Sequence, residues 1–275
     1  MVPTAIMNLR KRFIVKPGHR VQLAVHDARD TAGLHKDDPA VGKRLARNLS
    51  RLAELEYRLY AENRRALLIV LQGMDTSGKD GTIRHVMSGL NPQSCRVTAF
   101  KMPSAEEASH DFLWRVHHAV PRRGEIGIFN RSHYEDVLVV RVHDLVPRSV
   151  WSKRYDQIND FERSLAANDV TILKFFLHIS QDEQLDRLRE RINDPAKNWK
   201  ITPADIQERK FWPRYGKAYE EVLRRCSTAA APWFVIPADK KWFRDLAVSQ
   251  IVVETLAEMD PQFPPPAFDI AKIKI

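Results

Sequence analysis

Residues 73–81 read Gly73-Met74-Asp75-Thr76-Ser77-Gly78-Lys79-Asp80-Gly81. This is the spacing of a phosphate loop, G-x-x-x-x-G-K. Its backbone N–H groups converge on a phosphate chain, and the lysine adds a mobile positive charge. The chemistry of such a loop is the binding or transfer of phosphoryl groups. Gly73, Met74, Thr76, Ser77, Gly78 and Gly81 are the expected phosphate cradle, with Ser77 and Thr82 able to add hydroxyl hydrogen bonds. One position departs from the common form. The residue after the lysine is usually Ser or Thr, whose hydroxyl holds Mg²⁺; here it is Asp80. Mg²⁺ keeps several waters and needs only one or two carboxylates plus phosphate oxygens. Asp75 and Asp80 are therefore the expected ligands for Mg²⁺, with Mn²⁺ as the alternative.

A second group follows at Phe129-Asn130-Arg131-Ser132-His133-Tyr134-Glu135-Asp136. Many phosphate-loop proteins place a metal-supporting Asp at the corresponding strand end. Here the place is taken by Asn130 with Arg131 beside it, and the planar guanidinium of Arg131 suits a bidentate grip on a moving phosphoryl group. Glu135 and Asp136 have two readings: carboxylates of the site, or first-turn acids complementing a helix dipole. A third group spans 187–217, with Arg187, Arg189, Arg191, Lys197, Lys200, Arg209, Lys210, Arg214 and Lys217 against Glu190, Asp194, Asp205 and Glu208. Such a stretch reads as a basic lid that closes over phosphates and excludes water, or as a solvated helical face. Trp199 and Trp212 are expected to pack the lid. The ten histidines show no metal-ligand spacing.

The elements that must position these residues alternate. The apolar run Leu67–Leu71 is a buried strand leading into the loop, and further strands are expected at 96–100, 126–129, 170–178 and 233–236. Helices are expected at 41–65, 79–90, 105–118, 132–139, 150–168, 181–193, 203–226 and 240–259, with 1–40 irregular. Strand–helix alternation argues a parallel sheet covered on both faces, with ligands at the carboxyl ends of the strands. The divisions expected are an N-terminal extension and helix over 1–66, a phosphotransferase domain over 67–260 and a Pro-rich tail over 261–275.

Composition narrows the partners. The formal net charge is +9, which favours a polyanion. No apolar run approaches the roughly 18 residues of a membrane span. Met1–Arg12 shows no secretory h-region, and Cys95 and Cys226 form no disulfide framework. A reducing cytoplasm is the expected setting.

At these sites the chain closely resembles the polyphosphate kinase 2 family. The resemblance rests on Gly73-x-Asp75-x-x-Gly78-Lys79-Asp80-Gly81-Thr82, on Phe129-Asn130-Arg131-Ser132-x-Tyr134 and on Asp194-Pro195-x-Lys197-x-Trp199-Lys200. It extends to Pro232-Trp233-x-x-Ile236-Pro237-Ala238-Asp239-Lys240-Lys241. It implies an α/β, thymidylate kinase-like P-loop fold, with a five-stranded parallel sheet and a helical lid. It implies Mg²⁺-dependent, reversible phosphoryl transfer between inorganic polyphosphate and nucleotides. Asp75, Lys79, Asp80, Arg131 and Glu135 then take catalytic roles, with Arg187, Arg191, Lys197 and Lys200 on phosphates and Asn130, Tyr134 and Asp136 on the nucleotide. Glu135 resembles the subgroup that converts AMP to ADP and then ATP. The implied partners are inorganic polyphosphate, adenine nucleotides with guanine nucleotides as a further option, and other copies of the chain in a homo-oligomer. No membrane and no specific nucleic acid is expected. The competing readings are a nucleoside monophosphate kinase with ATP as donor and a non-catalytic phosphate-loop protein that binds nucleic acid.

Overall fold

The structure is a computed structural model that describes residues 8–273. Five strands form one parallel sheet: β1 (Ala66–Gln72), β2 (Cys95–Ala99), β3 (Ile126–Asn130), β4 (Val170–His178) and β5 (Trp233–Pro237), in the order β2-β3-β1-β4-β5. The continuous apolar run of β1 suits its central place, where every residue is buried. Its register sets Leu71 beside Asn130 of β3 and Gln72 beside Phe176 of β4. The carboxyl ends of the inner strands therefore meet on one edge.

The helices are α1 (Leu9–Phe13), α2 (Pro39–Glu62), α3 (Lys79–Val86), α4 (Ala105–Ser109), α5 (Trp114–Ala119) and α6 (Val139–Val142). They continue with α7 (Arg148–Ala167), α8 (Gln181–Asn193), α9 (Pro203–Glu208), α10 (Trp212–Cys226) and α11 (Lys241–Met259). One face of the sheet packs against α1, α2, α3 and α11 through residues such as Leu9, Leu55, Val86 and Ile251. The other packs against α5, α6, α7 and α10 through Val116, Val142, Ile158 and Val222. Each such side chain contributes ~1.5–3 kcal/mol by leaving water.

Local signals explain the helix bounds. Asp38 caps α2 by accepting from Ala40 N, and Asn63 ends it in a left-handed conformation. Ser180 caps α8 by accepting from Glu183 N. Three expected helices are shorter or broken. The stretch 105–118 divides because Asp111 accepts from Leu113 N and restarts the chain. The stretch 203–226 divides before α10, where Pro213 has no N–H to continue the helix. The stretch 79–90 stops at Val86, ahead of Gly89. Between β3 and α7, 132–139 becomes a 3-10 turn, His133–Asp136, followed by α6.

The N-terminal division is not separate. Leu9 and Phe13 are buried, Ile14 bridges Phe234, and Val15 N donates to Trp233 O at 2.8 Å. The apolar face of α2 packs against α11 within this chain. The tail lies exposed on the surface, with Phe263 edge-on to Tyr57. Residues 1–7 and 274–275 of the terminal divisions lie outside the described residues.

Candidate active site

The loop between β1 and α3 is shaped by backbone that few residues tolerate. Gly73 has φ +156°, and a Cβ there would stand 2.7 Å from Leu177 O. Gly78 has φ +101°, and a Cβ there would meet Arg244 Nη1 at 1.9 Å. Thr76 and Arg131, neither of them glycine, also hold positive φ, at 61° and 62°. Such strain, of order 1–3 kcal/mol each, persists where surrounding structure over-determines it.

Lys79 folds back over the loop, donating from Nζ to Gly73 O at 3.0 Å and Met74 O at 3.3 Å. Burial pushes its pKa down to about 8; neighbouring Arg131 adds to this, while Asp75, Glu135 and Asp80 oppose it. Asp80 faces the end of β3, where Asn130 Nδ2 donates to its Oδ1 at 2.7 Å. Arg131 Nη1 lies 3.7 Å from Glu135 Oε2, and Arg191 Nη1 lies 3.7 Å from Asp75 Oδ2. Loop atoms remain unmet: Asp75 Oδ2, Thr76 Oγ1 and Ser77 Oγ are buried without a hydrogen-bond partner among the described residues. Asp75 and Thr76 belong to the cleft wall, whereas Ser77, expected on phosphate, is fully buried beside Gly73 and stands outside it.

A cleft of about 1470 Å³ opens over this loop. Its walls carry Asp75, Thr76, Gly78, Lys79, Asp80, Gly81, Asn130 and Arg131, together with Arg187, Arg191, Lys197 and Lys200 from the lid stretch. The tertiary structure thus gathers all three sequence groups. It also adds cations to which the sequence reading gave no role: Lys36, Arg84, Lys101, Lys240, Lys241 and Arg244. Arg244 is held by Asp245, with Nε and Nη2 both donating to Oδ1 at 2.9 and 2.7 Å. A signal for the cations after β5 was the Asp239-Lys240-Lys241 run at a strand end; nothing local marked Arg244 or Lys101.

Several expected site residues do other work. Tyr134 is fully buried, and its hydroxyl donates to Glu162 Oε1 at 2.8 Å and accepts from Lys174 Nζ at 2.8 Å, so it cannot touch a nucleotide. Asp136 is turned away toward Arg154, 2.9 Å distant, and burial raises its carboxyl to about 6 even so. Thr82 donates back to Gly78 O at 3.2 Å, as helix hydroxyls do. Arg187 is scaffold: it donates to Thr76 O at 2.9 Å, Ala238 O at 2.6 Å, Asp239 O at 3.0 Å and Glu183 Oε1 at 2.9 Å. It ties the loop to the end of β5, with its fork filled by protein.

The lid stretch is also smaller than expected. Beyond Lys200 its cations point elsewhere: Arg209 donates to Gln181 O and Arg214 pairs with Asp144. Trp199 is 77% exposed, meeting Lys200 over its ring and donating from Nε1 to Ala196 O, whereas Trp212 is partly buried against the core.

Fold and site together define a phosphate-loop phosphotransferase of the nucleotide-kinase type. The family model for polyphosphate kinase 2 matches residues 33–264, and the chain belongs to that family. It is 51% identical over 265 residues to an AMP/ADP-polyphosphate phosphotransferase of Meiothermus ruber, covering 96% of this chain and 99% of the other. It is 44% identical over 266 residues to an ADP-polyphosphate phosphotransferase of Rhodopseudomonas palustris, covering 92% of each. The crystal structure of polyphosphate kinase 2 from Arthrobacter aurescens TC1 superposes with a TM-score of 0.88 at 42% identity, covering 94% of this chain and 95% of that one.

Proposed function

We propose that the protein transfers phosphoryl groups between inorganic polyphosphate and nucleotides, taking AMP to ADP and ADP to ATP. The observation that carries this is the cleft itself: Lys79, Asp75, Asp80 and Arg131 converge at the ends of β1 and β3, and the walls carry twelve Lys or Arg to six Asp or Glu. Polyphosphate, with about one charge per phosphate, fits such a groove and releases counter-ions on entering it.

An oxygen of the acceptor phosphate attacks the terminal phosphorus of the polymer in line. The bridging P–O bond breaks, its electron pair leaves with the shortened polymer, and the acceptor gains one phosphate. No side-chain nucleophile takes part. Positioning and charge do the work: Lys79 and Arg131 neutralise charge on the moving phosphoryl group, and Glu135 faces the acceptor.

Asp75 and Asp80 fit a hard divalent ion. Asp75 Oδ2 is a buried acceptor with no hydrogen-bond donor among the described residues, 3.7 Å from Arg191 Nη1, and Asp80 Oδ1 accepts from the neutral amide of Asn130. Mg²⁺ there would neutralise charge on the donor and acceptor phosphates; Mn²⁺ is the alternative. Guanine nucleotides as acceptors, homo-oligomeric assembly and a cytoplasmic setting complete the reading. No helix among the described residues is long and apolar enough to cross a membrane.

The test uses purified protein, AMP, Mg²⁺ and long-chain polyphosphate without ATP, with products followed by chromatography. ADP followed by ATP is expected. Product only from ADP would confine the activity to diphosphates. Product only when ATP is supplied would overturn the polymer as donor.

A further inference from the structure

Gln72 is the last residue of β1 and the one polar side chain in the strand Ala-Leu-Leu-Ile-Val-Leu-Gln. It is fully buried. Its Nε2 donates to Glu135 Oε1 at 3.0 Å. Its own Oε1 is buried and accepts nothing from the described residues. A leucine would pack this place without leaving a carbonyl oxygen unmet, so the amide is a poor choice for the fold alone. What it supplies is an N–H aimed at a carboxylate. That donor is neutral, so it holds the carboxylate without adding a second cation beside Arg131, as a Lys or Arg at 72 would.

The second hold on Glu135 comes from the other side, where Arg131 Nη1 stands 3.7 Å from Oε2. Glu135 lies in the 3-10 turn after β3, and nothing on its own turn would fix its carboxylate plane. Gln72 reaches it from the neighbouring strand. We infer that Gln72 is a positioning residue for acceptor choice: by fixing the Glu135 carboxylate it favours AMP over ADP as acceptor. A carboxylate repels a phosphate dianion, so Glu135 acts through a donor between them, such as a water. Its placement matters most for the acceptor whose reacting phosphate is its only phosphate. This rests on the reading of Glu135 as the acceptor-side carboxylate.

The experiment compares kcat/KM for AMP and for ADP, with long-chain polyphosphate and Mg²⁺, together with Tm, across four variants. Gln72→Leu is expected to lower the AMP-to-ADP ratio by about tenfold, the loss of one hydrogen bond to a charged group. Glu135→Gln lowers the ratio at least as far. Gln72→Glu sets two carboxylates face to face and lowers Tm as well. Gln72→Glu/Glu135→Gln restores the amide–carboxylate pair in reverse, so Tm recovers but the ratio does not, because the charge now sits on β1.

A purely structural Gln72 would instead depress both acceptors equally, in step with Tm, and that result overturns the inference. So does a restored ratio in the double variant, which carries the test alone if Gln72→Leu does not fold. If Glu135→Gln shifts the ratio and Gln72→Leu does not, the inference alone fails. If Glu135→Gln leaves the ratio unchanged, the reading of Glu135 fails and the inference with it.

Discussion

Two charged clusters share the short segment 130–136 and differ in what they leave open. Asn130 and Arg131 line the cleft, with Glu135 3.7 Å behind Arg131, and there Asp75 Oδ2 and Thr76 Oγ1 have no hydrogen-bond partner among the described residues. His133 and Tyr134 turn into the core, and their cluster closes on itself. Lys174 Nζ donates to Glu162 Oε2 at 2.5 Å, Tyr134 Oη at 2.8 Å and Cys226 O at 2.6 Å, using all three of its protons. Glu162 Oε1 accepts from His133 Nε2 at 3.1 Å and from Tyr134 Oη. Only His133 Nδ1 is left over. Burial holds the His133 pKa below its ordinary value, which keeps the ring neutral. The same residue types thus mark a binding site in one place and a structural staple in the other. The difference is whether their hydrogen-bonding capacity is spent on protein.

That contrast breaks if the cleft cations turn out to hold the fold, or the buried ones the chemistry. The largest expected effect is on turnover. Lys79→Ala or Arg131→Ala should lower kcat by about 10³-fold or more while leaving Tm nearly unchanged, because these charges are aimed at phosphate. Near wild-type rates in either variant would end the proposed mechanism.

The buried cluster should respond in the opposite sense. Lys174→Met leaves Glu162 charged and unpaired in the core, and should cost ~3–5 kcal/mol in urea unfolding. Lys174→Met/Glu162→Leu should recover much of that. If the double variant is no more stable than the single, uncompensated charge is not the cause.

Gly78→Ala should be smaller, at ~1–2 kcal/mol of stability, since alanine must hold φ +101° and displace the Arg244 guanidinium. It should also weaken polyphosphate binding, read as a raised KM for the polymer.

A pH series sharpens the comparison further. Lys79 sits at about 8 in the folded protein against 10.5 when free. Activity at low polyphosphate should therefore fall as pH rises through about 8, as the loop loses its charge. Stability should move the other way. The unfolded chain binds more protons between pH 8 and 10.5, so unfolding free energy rises with pH across that window. Saturating polyphosphate should shift the activity profile upward, because bound phosphate favours the charged amine. The smallest effect belongs to the exposed pair Arg163–Asp160, whose removal should change stability by less than about 0.5 kcal/mol.

Much of this is legible in the amino-acid sequence. The loop could be read because its chemistry is local: glycines where the backbone needs positive φ, and a lysine one residue on. The strands expected at 170–178 and 126–129 could be read from their apolar runs. Lys174 was a signal that passed unused, being a charged residue inside such a run. Gln72 was a weaker one of the same kind. Tyr134 and Asp136 were misassigned because neighbours on a turn face opposite ways, and a motif does not say which way. Arg187 was misassigned because a basic lid residue and a backbone-bridging arginine look alike until the carbonyls around them are seen.

By itself the sequence determined the class of chemistry, the sheet and the identity of the loop, since these follow from short-range spacing and from which segments must be buried. Only the tertiary structure decided which charges are free. That depends on carbonyls and carboxylates brought near by distant segments: Ala238 and Asp239 to Arg187, Cys226 to Lys174, Gln72 to Glu135. A side chain with all its hydrogen bonds met inside the protein has nothing left for a substrate, and only packing in three dimensions settles that account.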